Sequence, residues 1–182
     1  MSNVDTYDNG DFNADLGRLN QILGNLTNAL QRRPLSPALA SGTVRDAASF
    51  RRRIEEFQEA IVDRGQTVQR LVMADALAQL VQASPVGNKT RWKRNLGKPP
   101  DKMQPKNYVG GRYRRSWQVR IGGQVGNDPA GSVMRAVPGQ AASLVNLQPY
   151  GERLAQGWSS QAPAGWIDAI LARVLAKYAR VK

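Results

Sequence analysis

The sequence predicts an α+β fold in which long helices pack on a small antiparallel β-sheet and a C-terminal helix closes the domain. Three observations support this prediction: two N-terminal stretches repeat apolar residues every three or four positions, a central stretch alternates apolar with polar residues, and the last stretch returns to helical spacing. A chain of 182 residues has the length of one domain. We therefore expect an extended N-terminal helical arm, residues 1–42, followed by a single α+β domain, residues 43–182.

The predicted arm is built around an amphipathic helix between residues 12 and 30. Two glycines inside it, Gly17 and Gly24, each weaken a helix by about 1 kcal/mol relative to alanine, so this helix depends on docking. Prolines at positions 34 and 37 end it. We expect the arm to pack on its own chain or on a neighbouring subunit. The candidate subunit-interface residues on its apolar stripe are Leu16, Leu19, Leu23 and Leu26.

A second helical pattern runs from residue 43 to residue 83. Thr43 followed by Asp46 resembles a capping box with aspartate in place of the usual glutamate. Apolar residues then recur at intervals of four and three, beginning with Phe50. Gly65 interrupts the pattern, which leaves two alternatives open: one long helix, or two helices that meet at this glycine. Proline at position 85 ends the run.

Residues 84–111 contain four prolines and no hydrophobic periodicity, and they form the predicted long basic loop. Unstructured segments of more than about 15 residues are uncommon in compact domains unless they have a function. Residues 86–120 carry eleven bases and one acid, a net charge of +10, whereas residues 1–30 have a net charge of −3. This asymmetry favours an acidic partner, either nucleic acid or an acidic protein surface. The candidate contacts are Lys89, Arg91, Trp92, Lys93, Arg94, Lys98, Lys102, Lys106 and Arg112.

Three strands and a final helix are predicted after the loop. Alternation in residues 113–121 puts Tyr113 and Trp117 on the apolar face of a half-buried strand. The stretches "SVMRAV" (132–137) and "AASLVN" (141–146) are interpreted as two more short strands, with Gly122-Gly123 and "GNDPAG" before them as turns. Residues 166–178 place Trp166, Ile170 and Val174 on one face of a C-terminal helix.

Composition excludes the commonest enzyme chemistries. The chain has no histidine and no cysteine, so the usual general base and the thiolate nucleophile are missing. Metal binding could draw only on scattered carboxylates, and we expect no catalysis, no metal and no cofactor. We also expect no secretory signal and no membrane segment, since no stretch approaches about 20 apolar residues. Synthesis in the cytoplasm is the corresponding expectation.

The stretch "NLQPYGERLAQGWSSQAPAG" (146–165) is unusually rich in proline, glycine and aromatic residues for a surface loop. We expect Pro149 to lead into a short helix whose inner face is buried by Tyr150 and Leu154, and Gly157 to permit a turn that side chains would block. For Trp158, burial in the monomer and a place in a subunit interface are both open.

Three segments together resemble the tail-completion or head-tail joining proteins of tailed bacteriophages, a family that includes the minor tail protein Z type. They are "SPVG" (84–87), "GRYRRSWQVRIG" (111–122) and the 146–165 stretch, and the resemblance covers roughly residues 70–180. Two departures stand out. About two dozen residues, including much of the positive charge, separate the first segment from the second, and Gln156 occupies the place of the family's usual acid.

This resemblance implies a structural virion protein that acts in the neck or upper tail after assembly in the host cytoplasm. It implies a homo-oligomeric ring around the DNA channel, a hexamer rather than a dodecamer, in contact with other neck and tail proteins. Trp158 then becomes a candidate subunit-interface residue. The alternative that composition supports is a small basic DNA-binding protein that uses residues 89–115, in which cations and aromatic residues are interleaved.

Overall fold

The computed structural model describes residues 9–32, 46–86 and 110–179 and has the predicted α+β fold. Six helices and one three-stranded antiparallel sheet, in the strand order β2-β1-β3, make up these described ranges. In chain order they are α1 (Asn9–Arg32), α2 (Ala47–Ala83), α3 (Arg112–Arg115), β1 (Trp117–Ile121), β2 (Gln124–Val125), α4 (Pro129–Arg135), β3 (Ala142–Asn146), α5 (Gly151–Ala155) and α6 (Trp166–Tyr178).

Helix α1 packs on its own chain, which is one of the two alternatives that the sequence left open for the arm. It packs along α2, and its Leu19 belongs to the same hydrophobic cluster as residues of α2, α4, β1 and α6. A salt bridge of 3.3 Å joins the Arg18 guanidinium to the Asp128 carboxylate at the start of α4. Two glycines make α1 weak by itself, and this docking supplies the stability that the helix lacks.

Helix α2 is one uninterrupted helix of 37 residues that continues through Gly65. Its N-cap is Asp46, whose Oδ1 accepts a hydrogen bond of 2.7 Å from the backbone N–H of Ser49. The Asp46 N–H donates in return to the Ser49 hydroxyl at 3.4 Å, so that the capping box uses Asp46 and Ser49. The hydrogen bonds at the cap also hold the pKa of Asp46 below its ordinary value. The Thr43 of the predicted capping box lies outside the described residues.

The two halves of α2 have different surroundings. From Leu71 to Leu80 nearly every side chain is buried, because α1, α4, α6 and the sheet surround this half. Before Arg64 most side chains are exposed, including the four large apolar residues Phe50, Ile54, Phe57 and Ile61. The second half of α2 therefore forms the centre of the core. Its first half instead carries an apolar stripe that is partly exposed to solvent.

A polar cluster joins the second half of α2 to α6. The buried carboxylate of Asp75 accepts hydrogen bonds from Gln79 at 2.9 Å, from the Lys177 ammonium at 2.7 Å and from the Tyr178 hydroxyl at 3.0 Å. Burial alone would raise the pKa of Asp75, but these donors outweigh it and leave that pKa below the ordinary value. The hydrogen bond to Asp75 raises the pKa of Lys177.

The sheet has one face on the core and one face towards solvent. Val119 of β1 is fully buried opposite Leu144 of β3, and the exposed Arg120 lies opposite Ser143. Strands β1 and β2 are joined by the predicted Gly122–Gly123 turn, in which both residues have positive φ. Strand β3 confirms the prediction made for residues 141–146.

Two predicted strand assignments are wrong. Residues 112–115 form the helical turn α3, so β1 begins only at Trp117, although Tyr113 is buried as expected. Residues of the predicted strand "SVMRAV" mostly belong to α4. There Asp128 is the N-cap, accepting a hydrogen bond from Gly131, and Pro129 occupies the first turn. The dipeptide Asp-Pro is a helix-start signal as well as a turn signal, because proline needs no donor at that position.

The C-terminal helix α6 matches its prediction. Trp166, Ile170 and Val174 are buried on one face, whereas Leu175 lies on the outside and is 58% exposed. Within the described ranges, none of the helices has the length and apolar character that crossing a membrane requires.

Candidate assembly surface

The three segments that carry the family resemblance meet at the C-terminal end of α2. Their meeting point, residues 84–86, 110–118 and 146–166, is called the motif junction below. At its centre Ser84 is buried, donating a hydrogen bond of 2.6 Å to the Leu80 carbonyl and accepting one of 2.8 Å from the Trp117 indole N–H. Serine at this C-cap position binds a carbonyl of the last helical turn and at the same time satisfies the buried tryptophan donor, whereas Pro85 ends the helix.

Arg114 caps the same end of α2. Its guanidinium donates hydrogen bonds of 3.0 Å to the backbone carbonyls of Gln82 and Ser84. The last carbonyls of a helix have no partner within the helix and carry partial negative charge, so a cation there is favourable. Burial lowers the pKa of Arg114, but arginine remains charged near neutral pH.

Gln161 binds the backbone of the residues that follow Ser84. Its amide nitrogen donates to the Val86 carbonyl at 2.8 Å, and its amide oxygen accepts from the Val86 N–H at 3.0 Å. Val86, near the start of the predicted basic loop, is thus held by Gln161. The residues after the loop are held through Arg114. Since Arg114 itself contacts the end of α2, the two described flanks of the loop leave and rejoin the domain at one place.

Asn146 and Gln148 connect β3 to the segment before β1. The Asn146 side chain donates to the Tyr113 carbonyl at 2.8 Å and accepts from the Gln148 N–H at 3.1 Å. The Gln148 amide donates to the Ser116 hydroxyl at 2.6 Å. These side chains provide hydrogen-bond partners for groups in α3 and in the residue after it, which lie outside the hydrogen-bond ladder of the sheet.

An aromatic cluster fills the junction behind these polar contacts. The ring of Tyr113 lies 5.9 Å from Trp117, 6.0 Å from Tyr150 and 6.5 Å from Trp166, measured between ring centroids. Burial raises the pKa of Tyr113. The Trp166 indole N–H donates to the Leu154 carbonyl at 3.2 Å. Tyr150 precedes α5 and keeps 38% of its surface exposed, so it buries less of the inner face than predicted.

Trp158 lies on the outside of the junction. Its indole is 73% exposed and lies beside the Arg153 guanidinium, 5.5 Å from the ring centroid. Gly157 has a φ of +85°, and a Cβ there would come within 2.6 Å of the Ala164 backbone nitrogen. The predicted need for glycine at this turn is therefore confirmed. Of the alternatives left open for Trp158, burial in the monomer is wrong.

The predicted interface stripe on α1 is largely used inside the chain. Leu19 and Leu26 are buried, 4% and 7% exposed, and Leu16 and Leu23 are half-buried. The assignment of Leu19 and Leu26 to a subunit interface is thereby corrected to core positions of the monomer. The physical reason is that α2 and α4 offer this weak helix an apolar surface within its own chain.

Most of the predicted basic contacts lie outside the described residues: Lys89, Arg91, Trp92, Lys93, Arg94, Lys98, Lys102 and Lys106. Arg112 is described, and it lies exposed in α3 beside the motif junction. In the described part of the chain, carboxylates do not gather into a group of three that could hold a metal ion.

Sequence reasoning missed two features of possible functional use. The first is that the apolar stripe on the N-terminal half of α2 is exposed. Its residues have the same spacing as those of a buried stripe, so the sequence pattern does not distinguish an exposed stripe from a buried one. The second is the Asp75 cluster, whose members are about one hundred residues apart in the chain. Comparison with known proteins found no matching family model, curated protein or solved structure.

Proposed function

We propose that this chain is a structural virion protein of a tailed bacteriophage, which completes the tail or joins it to the head as an oligomeric ring. The observation that carries the proposal is Trp158, whose indole is 73% exposed and follows the constrained turn at Gly157. An exposed aromatic side chain suits an anchor for another protein chain, because it buries a large apolar area when a partner covers it.

The polar side chains of the motif junction support the same proposal. Ser84, Asn146 and Gln161 each bind a backbone group, so they hold the chain in shape and are not directed at a substrate. Their effect is to hold residues 84–86 and 110–118 against the segment 146–166, which carries Trp158. The surface around the indole would then contact neighbours: other copies in a ring, hexameric rather than dodecameric, and further neck and tail proteins.

Size-exclusion chromatography with light scattering, followed by electron microscopy of the purified chain, tests this proposal. We expect closed rings, and we expect Trp158→Ala to reduce assembly at least tenfold because it removes the anchor. Leu175→Ala is the matched control, since Leu175 is also strongly exposed but lies on α6 away from the motif segments. A wild-type chain that stays monomeric at all concentrations, or equal assembly of both variants, would contradict the proposal.

A DNA-binding function is the second candidate, favoured by the net charge of +10 in residues 86–120. A chain that neutralises phosphates with these cations binds short duplexes at low salt and loses affinity steeply as salt rises. Titration of a labelled duplex at several salt concentrations separates the candidates. Tight, strongly salt-dependent binding by a chain that forms no rings supports DNA binding instead.

A further inference from the structure

An open cavity of about 440 Å³ lies at the motif junction, bounded by the sheet and by helices α5 and α6. Gly151, Glu152 and Ala155 of α5 line one side of it. The remaining walls are mainly apolar side chains of α2, β1, β3 and α6, namely Leu80, Trp117, Leu144, Ile167 and Leu171. Pockets of about 300–1,000 Å³ enclose most of a compact organic group, so this cavity has room for a large side chain or a small molecule.

Tyr113, in the wall of this cavity, has a polar group without a partner in the described part of the chain. The side chain is only 3% exposed, yet its hydroxyl makes no hydrogen bond to any described residue. The hydroxyl end of the ring lies beside Gly151, where a Cβ would come within 3.3 Å of Cε2 and 3.8 Å of the hydroxyl oxygen. Burial raises the pKa of Tyr113, so the hydroxyl stays protonated and can both donate and accept. Since buried polar groups normally have a partner, an occupant with a hydrogen-bonding group would complete this site.

We propose that the occupant is the Trp158 indole of a second copy of this chain, so that each copy inserts its tryptophan into the cavity of the next. This inference rests on the ring proposed above and identifies the contact that builds it. The indole is flat and apolar like the cavity walls, and its N–H can donate to the Tyr113 hydroxyl. The other two described tryptophans, Trp117 and Trp166, are buried and have acceptors for their N–H groups. The exposed Trp158 N–H has no acceptor among the described residues.

The charges beside the two surfaces are complementary. The Arg153 guanidinium lies over the Trp158 ring, 5.5 Å from its centroid, so a cation accompanies the indole. Glu152 is exposed and belongs to the cavity wall. Insertion of the indole would bring Arg153 of one copy to the cavity edge of the next, where it meets this carboxylate. An exposed pair of this kind adds specificity more than affinity.

The cavity and Trp158 lie on different sides of α5. Gly151, Glu152 and Ala155 occupy an arc of about 100° on this helix, and Arg153, beside Trp158, lies about 100° beyond its edge. A contact between two different patches of one chain is heterologous, so it adds copies until the assembly closes as a ring. The indole in the cavity would be the anchor of this interface, because a few buried aromatic contacts carry most of the binding energy while the contacts around them exclude water.

Two variant chains that complement each other test the contact. Trp158→Ala removes the indole and keeps the cavity, whereas Ala155→Leu keeps the indole and fills the cavity from α5. We expect each chain alone to assemble at least tenfold more weakly than wild type. In a mixture, the indole of the Ala155→Leu chain can enter the intact cavity of the Trp158→Ala chain. Sedimentation velocity and native mass spectrometry should then show heterodimers with one copy of each chain and no rings.

Ala176→Leu is the matched control for the filled cavity. Ala176 is exposed on α6, apart from the residues that line the cavity, so this variant should assemble like wild type. Circular dichroism should show unchanged helix content in both leucine variants. Equal loss of assembly in the two would overturn the inference.

The mixture separates failure of this inference from failure of the proposed function. Wild-type rings together with no heterodimer in the mixture overturn the inference and leave the ring intact. Heterodimers together with a wild type that forms only open chains overturn the ring and support the contact. A monomeric wild type with no heterodimer overturns both. Stoichiometric release of a small molecule from the denatured chain also overturns the inference, because the cavity then has a different occupant.

Tyr113→Phe tests the hydrogen bond inside the cavity. Because the hydroxyl makes no hydrogen bond to the described residues, its removal should not destabilise the dissociated chain in a urea titration. It should weaken assembly about three- to tenfold, since one hydrogen bond between copies is lost. A less stable dissociated chain with unchanged assembly would show that the hydroxyl acts within its own chain, and would refute its role in holding the indole.

Discussion

Replacing Asp75 by asparagine tests the cluster that joins α2 to α6. In the wild type one carboxylate oxygen accepts from Gln79, and the other accepts from both Lys177 and Tyr178. Asparagine keeps the shape of the side chain but has only one acceptor oxygen. With its oxygen towards Lys177 and Tyr178, the asparagine amide group faces Gln79, whose own amide can turn and accept from it. The substitution therefore removes the negative charge that Lys177 and Tyr178 bind, while the geometry of the cluster is kept.

The structure sets the size of the effect. Hydrogen bonds to a charged group contribute about 1.5–3 kcal/mol each, but the Lys177 side chain is 60% exposed, so its ion pair contributes less than about 1 kcal/mol. We expect Asp75→Asn to lower the free energy of unfolding by about 1–2 kcal/mol at pH 7, because a hydrogen bond to a neutral acceptor contributes about 1 kcal/mol less than one to a charged acceptor. For a chain of this length that is a decrease in Tm of roughly 2–8 °C. Lys177→Gln, the control, should cost less than about 1 kcal/mol.

The pH dependence identifies the carboxylate as the cause. The pKa of Asp75 is lowered in the folded chain, so its contribution is complete above the unfolded value of about 3.9 and is lost as the pH falls through the folded value. The pKa of Lys177 is raised, so its contribution is lost only as the pH rises above about 10.5. Urea unfolding of wild type and Asp75→Asn should therefore differ at pH 7, and the difference should shrink as the pH falls through the folded pKa of Asp75. A difference that does not shrink in acid, or no difference at pH 7, refutes this reasoning.

Two further predictions concern the Trp158 turn and the role of α1. Gly157→Ala should lower the free energy of unfolding by at least about 2 kcal/mol, because the backbone there has a positive φ and the added Cβ would lie 2.6 Å from the Ala164 backbone nitrogen. A denaturant titration in which this variant matches wild type would contradict the prediction. Leu19→Ala should cost about 2–4 kcal/mol in the unfolding of the monomer, because Leu19 is buried in the core. If Leu19 instead formed only a subunit contact, the substitution would reduce oligomerisation and leave monomer unfolding unchanged.

Local patterns in the sequence predicted most helices and the fold class. The spacing of Phe50 and its successors predicts a helix because the period of 3.6 residues is a property of the backbone alone. The Gly122–Gly123 turn and the glycine requirement at Gly157 were equally local, since they depend on conformations with positive φ. Helix α4 was missed because Asp128-Pro129 starts helices and turns alike, and a helix of seven residues is too short for periodicity to decide.

The sequence by itself determined the helices α1, α2 and α6, the strand β3, the glycine turns, and that its positive charge is concentrated in one segment. Only the tertiary structure decided which apolar stripes are covered: Leu19 of α1 is buried in the core, whereas Phe57 of α2, with the same spacing of neighbours, remains exposed. The physical reason is that periodicity reports which residues share a face of a helix. What covers that face depends on contacts between segments that are far apart in the chain.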